Sequence, residues 1–420
     1  MKNKLIASII LLYATTIFPQ TKLSLDECYS KARENYPLIK QKEYIAKSKD
    51  YNVSNVWKGY FPQLTINGQA TYQNEVTTIP ISLPGINIES ISKDQYKAVA
   101  DVSQVIYDGG IMSAQAQIQK FSAEVDDQKI ETELLKVKDR INQIYFGILL
   151  FNEQLIQTDL VKKDLIASFD KLNAALKNGT AMQSNVDVIK AELLKTNQKE
   201  IELKSSRKSF IDMLGLLMNQ PLEESIELSI PVYNQVENDS QINRPELKMY
   251  SFQQKMIEEQ SGLTLSKILP KASLFFQGGY GKPTLNMLKT DFDWFYMTGA
   301  KLSWPISNLY TFSNENEITE LNKKSVEAQK ETFLLNTNLS LKQYHNEIEK
   351  LIELINVDKE IISIRTSVKE SSKAQLENGV ITSSDFIREL NAEDQAKQNL
   401  SIHKIQLLLA QQNYQLTIGN

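Results

Sequence analysis

Cysteine occurs once and histidine twice in the 420 residues. A single cysteine excludes an internal disulfide framework and any CxxC metal or redox site. His345 and His403 have no metal-ligand spacing around them, so a His-rich zinc or iron centre is excluded, and no cofactor is expected. Glycine is sparse at 15 residues, too few for a Gly-turn-rich all-β chain or a dinucleotide-binding fold. The 41% hydrophobic content and a mean hydropathy of −0.33 exclude both a polytopic helical membrane protein and a disordered chain. There is no excess of basic residues: 47 Lys+Arg against 51 Asp+Glu give a charge of −4, the wrong sign for a general nucleic-acid binder.

What is present begins with an export signal. Lys2 and Lys4 precede a short apolar stretch, Leu5 to Tyr13, too short to span a membrane. Residues 1–20 therefore read as a secretory signal peptide with cleavage near Gln20. No cysteine follows directly, and Cys28 lies inside Asp26-Glu27-Cys28-Tyr29, a poor place for a lipid anchor.

The remainder repeats itself. Leu176-Lys177-Asn178-Gly179 returns 200 residues later as Leu376-Glu377-Asn378-Gly379, and Ile141, Ile144, Ile148 and Phe151 return as Leu341, Tyr344, Ile348 and Leu351. Upstream the offset is 208, between Asn35-Tyr36-Pro37-Leu38 and Arg244-Pro245-Glu246-Leu247. The slippage falls between Pro62 and Ser103, where one copy has the longer loop. We place the first repeat at 21–230 and the second at 231–420.

Each repeat has the same expected order. A moderate helix (25–57; 245–267) is followed by two alternating segments, a very long helix (110–177; 311–377), an Asn-Gly break and a second helix (181–218; 382–418). In the first long helix Ile130, Leu134, Val137, Ile141, Ile144, Ile148, Phe151 and Leu155 step by four and three, the 3.5-residue period of a coiled-coil seam. Such rods should pack lengthwise as antiparallel pairs.

The alternating segments are expected as strands at about 62–74, 95–107, 270–281 and 294–305. Each is about ten residues of period two with aromatics near its ends, which suits a transmembrane β-strand. Alternation alone fits a soluble sheet equally well. Four strands cannot close a barrel, for which about eight is the working minimum, and an open edge is not tolerated in lipid. A membrane reading therefore requires several chains.

In this order the features resemble the TolC-type outer-membrane efflux proteins over the whole mature chain. The similarity rests on the tandem repeat, the Asn/Arg-x-Pro openings, and the junction Val102-Ser103-Gln104-Val105-Ile106-Tyr107-Asp108-Gly109-Gly110. It rests also on the Asn-Gly tips followed by Ser184-x-x-Asp187 and Thr382-x-x-Asp385. The second junction, Trp304-Pro305-Ile306-Ser307-Asn308-Leu309, lacks the Asp-Gly-Gly of the first. The resemblance implies a mainly α fold with transmembrane β: a homotrimer with a twelve-stranded barrel in outer-membrane lipid, continued by an antiparallel coiled-coil tunnel in the periplasm. It implies an exit duct for tripartite efflux or type I secretion, partnered by a periplasmic adaptor (membrane fusion protein) and an inner-membrane transporter. The competing class is a periplasmic coiled-coil adaptor or structural rod without a pore. No catalytic constellation is found, and the chain is expected not to be an enzyme.

Several residues carry specific expectations. Asp101 and Lys301 occupy equivalent repeat positions on the polar side of their strands; we expect them in the barrel lumen at similar depth, the alternative for Lys301 being lipid-interface snorkelling. Asn178, Gly179 and Thr180, and Asn378, Gly379 and Val380, should form tips that are either plain turns or adaptor contacts. Asp187 and Asp385 each follow a Ser or Thr by three positions, the spacing of a capping box. The resemblance adds that Asp385 matches an acidic pore-constriction position, whereas the family's next acidic position is Arg388 here. The gate candidates are thus Asp385, Arg388 and Asp187, with capping the other account of Asp187. The alternative to an acidic ring is that Arg388 pairs with Asp385 of a neighbouring chain and holds the entrance shut. The loops at 74–95 and 282–293 should face the exterior.

Overall fold

The computed structural model describes residues 22–77, 91–232, 241–287 and 289–419. The expected signal peptide and the central part of the 74–95 loop, residues 78–90, lie outside the described residues.

The chain runs α1 (Leu25–Asn35), α2 (Lys40–Trp57), β1 (Gln63–Tyr72), β2 (Asp94–Tyr107), α3 (Ile111–Lys177) and α4 (Gln183–Met218). The second half follows with α5 (Pro245–Ile268), β3 (Lys271–Lys282), β4 (Asp293–Ser303), α6 (Leu309–Glu377) and α7 (Ser383–Ile418). The helix expected over 25–57 is broken. Pro37 excludes helical backbone at the preceding residue, so Tyr36 is extended (φ −66°, ψ 124°) and a 3-10 turn, Pro37–Ile39, separates α1 from α2. At 1.5 Å per residue, the 67 residues of α3 give a rod of roughly 100 Å.

Two compact units emerge, and neither coincides with a repeat. One contains the chain up to Tyr36 with Leu134–Ile242 and Leu339–Asn420; the other contains Pro37–Glu133 and Asn243–Asn338. Both α3 and α6 contribute to both units.

The first unit is helical. Leu134, Val137, Ile141, Ile144 and Ile148 are buried, as the 3.5-residue period requires, and the last four share a cluster with Ile211, Leu214 and Met218 of α4. Gly147 lies under the Phe210 ring, where a Cβ would collide with it, so α3 and α4 approach closely at this point. The Tyr145 hydroxyl reaches the carbonyls of Leu23 (2.8 Å) and Ser229 (2.6 Å), and burial pushes its pKa up to about 12. Leu23 also bridges Leu228 in a short parallel contact, so the chain start is tied to the loop after α4.

Cys28 lies in this core with no exposed surface, and burial pushes its thiol up to about 12. A buried, protonated thiol is a poor nucleophile. Native protein is therefore expected to give no maleimide adduct at Cys28 at pH 7, and stoichiometric labelling after denaturation; mass spectrometry of the two samples reads this directly.

The second unit holds one four-stranded sheet of order β1-β2-β3-β4, every neighbour antiparallel.

Candidate functional site: a two-faced sheet and two helical tips

Residues opposite one another in the sheet share a face. Three rows make one face apolar: Leu64–Val102–Phe276–Thr298, Ile66–Ala100–Gly278–Tyr296 and Gly68–Ala98–Tyr280–Trp294. It is uncovered within the chain; Ile66 is 76% exposed and Trp294 77%. At the loop end Tyr96, Tyr280, Phe292 and Trp294 cluster, with Tyr280 5.0 Å from Trp294. At the other end the Trp304 indole donates to the Ile268 carbonyl at 3.0 Å. The opposite face carries Gln63, Thr65, Asn67, Gln69, Lys97, Asp101, Gln277 and Lys301.

Asp101 and Lys301 share that polar face, but they are out of register. Asp101 stands in the row Thr65–Asp101–Gln277–Met297, whereas Lys301 stands four residues along, opposite Ser273 and in line with Val105. The repeat carries over within each hairpin, since Thr65↔Asp101 corresponds to Ser273↔Lys301, but β2 pairs with β3 four residues out of that alignment. The Asp101 carboxylate accepts from the amides of Asn67 (2.8 Å) and Gln277 (2.6 Å), so it does not balance Lys301 within the chain.

Where β2 turns into α3, buried Asp108 accepts from the N–H groups of Gly110 (2.8 Å) and Met112 (2.6 Å) and from the Tyr60 hydroxyl (2.9 Å). Burial alone would raise this carboxyl; the three donors outweigh it and hold the group below the usual range. Gly109 has φ +77°, and a Cβ there would stand 2.9 Å from the Ser266 carbonyl. The second junction uses different means: a 3-10 turn, Ile306–Asn308, whose Asn308 amide donates to the Lys267 carbonyl at 3.0 Å. Both junctions therefore rest on the C-terminal turn of α5.

The two tips share one geometry. Thr180 N–H donates to the Ala175 carbonyl (2.9 Å) and Val380 N–H to that of Gln375 (2.8 Å), with Gly179 and Gly379 at positive φ. These are Schellman caps, and glycine is required by the left-handed backbone. Beyond the turns the tips differ. Thr382 caps α7 in a capping box: its hydroxyl accepts from Asp385 N–H (3.2 Å), while its own N–H donates to the Asp385 carboxylate (3.2 Å). The Thr382 hydroxyl and N–H, and then the Arg388 charge, hold Asp385 below the ordinary aspartate range.

The capping box expected for Asp187 is not formed. α4 begins at Gln183, Met182 is its N-cap residue without a side-chain bond, and Asp187 accepts instead from Gln183 Nε2 at 2.9 Å. The tips align at an offset of 200, so the counterparts of Thr382 and Asp385 are Met182 and Asn185; the Ser184–Asp187 pairing lies two residues away. Arg388 contacts Asp385 (3.4 Å) and Glu389 (3.2 Å) of its own chain, and Arg365 also reaches Glu389.

The two hairpins are joined behind the tips. Leu165, Val186, Ile189, Leu376, Phe386 and Leu390 form a shared apolar cluster. Above it, buried Lys369 of α6 meets Asp164 of α3 (3.1 Å) and Glu393 of α7 (3.3 Å). Burial would lower the Lys369 ammonium; Glu370 and Asp164 instead hold it above its ordinary value. A cleft of about 860 Å³ opens between the tips, lined by Leu172, Thr180, Met182, Leu376 and Val380 and closed at one side by the Lys171–Glu377 pair (2.5 Å). Glu389, Lys369 and Glu393 were not singled out from the sequence, because charged residues on long helices read as solvated and nothing local marks which ones are buried.

No described helix is long and apolar enough to cross a membrane, and no described group of acidic, His or Cys residues could hold a metal. The family profile for outer membrane efflux proteins matches residues 28–217. The outer membrane protein VceC of Vibrio cholerae is similar in structure, with a TM-score of 0.69 at 12% identity over 94% of each chain. The Campylobacter jejuni outer membrane channel CmeC gives 0.67 at 14% identity, over 94% of this chain and 85% of that one. The open state of the Neisseria gonorrhoeae channel MtrE gives 0.70 at 13%, over 94% and 89%. No curated protein matches in sequence. The family match and the shared fold bear out the resemblance to TolC-type outer-membrane efflux proteins. The matched family and these structures are channels, not enzymes. VceC, CmeC and MtrE are outer membrane proteins.

Proposed function

We propose that this chain forms a homotrimeric exit duct, with three four-stranded sheets closing a twelve-stranded barrel and the long hairpins continuing as a periplasmic tunnel. The observation that carries this reading is the uncovered apolar face of a sheet whose outer strands, β1 and β4, have no further strand beside them among the described residues. Ten residues at about 3.4 Å, tilted near 40°, give a band of roughly 25 Å, the height of a lipid-facing barrel wall. A soluble coiled-coil rod gains nothing from exposing Leu64, Ile66, Tyr296 and Leu302. The duct would serve tripartite efflux or type I secretion with a periplasmic adaptor and an inner-membrane transporter. Its test is fractionation: a heat-modifiable oligomer in the outer membrane is expected, and a soluble periplasmic monomer overturns it.

The tips at Asn178-Gly179-Thr180 and Asn378-Gly379-Val380 are the proposed adaptor contacts, supported by exposed Met182 and Val380 beside an open cleft. Cysteines at Thr180 or Val380 are expected to crosslink to the adaptor in cells, and cysteines in the strand loops are not; equal yields from both would refute tip docking. Asp385 is proposed to contribute to an electronegative ring where three chains meet. Asp385→Ala should lower cation selectivity and weaken block by trivalent cations in planar bilayers, with trimer yield retained. A variant that keeps both properties and loses only thermal stability would leave Asp385 as a helix cap and nothing more.

A further inference from the structure

The polar face of the sheet has a charge sign opposite to that of the chain. Its ionisable residues are Lys97, Asp101, Lys271, Asp293 and Lys301. Asp293 is paired with Lys289, and Asp101 is already held by two amides. None of the three lysines makes an ion pair with a described residue. A chain with a net charge of −4 thus gathers unpaired cations on this one surface.

Between these lysines the same face carries aromatic and methionine side chains, and only in the second repeat; the first repeat has Val99 and Val105 there. Phe275 lies over Gly299 and Phe295 over Gly279, with ring carbons 3.0 and 2.9 Å from where a glycine Cβ would stand. Met297 fills the row between them. The equivalent rows of the first repeat carry Gln63, Thr65, Asn67 and Gln69. Covering the glycines accounts for the flat placement of the rings; it does not account for aromatic residues on a face whose β2 neighbours are Lys97, Val99, Asp101, Ser103 and Val105, none of them aromatic.

We infer that this face receives small organic anions with a flat apolar body, such as aromatic carboxylates, the lysines supplying attraction and Phe275, Met297 and Phe295 the contact surface. The inference rests on the barrel reading above, which makes this face the lumen wall. Three copies around a narrow pore would focus the positive potential, and the apolar strip would be met by the solute's own apolar face. Asp101, with one bond to each oxygen from Asn67 and Gln277, is outnumbered on this face by the three lysines.

The potential can be read locally, without passage through the helical tips. A cysteine at Ser103, on the polar face in the row of Phe275, would be exposed to reagents added outside intact cells. Rates are compared for the anionic 2-sulfonatoethyl and the cationic 2-(trimethylammonium)ethyl methanethiosulfonates, each normalised to its rate with free cysteine. The anionic reagent is expected to be favoured roughly threefold or more, and the preference should vanish in Lys97→Gln/Lys271→Gln/Lys301→Gln. At equal concentration 2-naphthoate should slow labelling more than acetate does, and Phe295→Leu should erase that difference while leaving the charge preference unchanged. A preference for the cationic reagent, or one indifferent to the lysines, overturns the inference while leaving the barrel intact. If neither charged reagent reaches the thiol but a lipid-soluble maleimide does, this face is not the lumen, and the barrel reading fails together with the inference.

Discussion

Ile66→Arg is expected to abolish recovery of the protein from the outer membrane, whereas Thr65→Arg, one residue away, is expected to leave it there. Ile66 points from the apolar face and lies near the middle of β1, in the row Ile66–Ala100–Gly278–Tyr296. An arginine at the midplane of a lipid-facing barrel wall costs about 2–4 kcal/mol, and a trimer incurs that cost three times. Thr65 belongs to the opposite face with Asp101 and Gln277, where a further cation would meet water and a carboxylate. Membrane fractionation with semi-native electrophoresis separates the two outcomes. If both variants insert equally, the apolar face does not meet lipid; if neither inserts, position matters less than charge and the two-faced reading fails.

Asp108→Ala should destabilise the assembled protein more than any single substitution at the tips. It removes the acceptor of two helix N-terminal N–H groups and leaves the half-buried Tyr60 hydroxyl without its partner. Loss of a cap costs about 0.5–2 kcal/mol, and the half-buried Tyr60 donor adds at most about 1, so a loss of roughly 1–3 kcal/mol per chain is expected. Asp108→Asn keeps an acceptor and should lose less. Because the folded-state carboxyl is held below its ordinary value, its ionic contribution is complete above about pH 4 and is lost as the pH falls through that depressed value. The gap between wild type and Asp108→Asn in thermal dissociation should therefore be wide at pH 7 and narrow as the pH falls below the ordinary aspartate range. A constant gap would mean that geometry, not ionisation, is what Asp108 supplies.

Failure at these two places would come from different physics. The strand face depends on the solvent that meets it, whereas the junction depends on hydrogen bonds closed inside the chain. Gly109 links the junction to α5, since a side chain there would press on the Ser266 carbonyl as well as strain the backbone.

Periodicity alone determined the element types and their order, because a 3.5-residue apolar step and a two-residue alternation are each compatible with one backbone geometry over such lengths. The tips were legible for the same reason: Asn-Gly at the end of a long periodic run needs a left-handed residue. The face of each strand residue was legible too, since alternation assigns it without knowing the partner strand. The break at Tyr36–Pro37 was written in a local rule that the surrounding helical pattern obscured. Only tertiary structure decided the rest. The pairing of β2 with β3 sets how the two hairpins are staggered, so Asp101 and Lys301 fall in different rows although the repeat aligns them within their hairpins. Helix phase at a tip decides which acid caps, and two residues of misalignment exchanged Asn185 for Asp187. The Lys369 cluster joins residues 205 positions apart, Asp164 and Lys369, and its burial follows from three helices meeting there. Local pattern encodes backbone geometry and facing; which charges end up paired, buried or unpaired depends on distant chain segments being brought together.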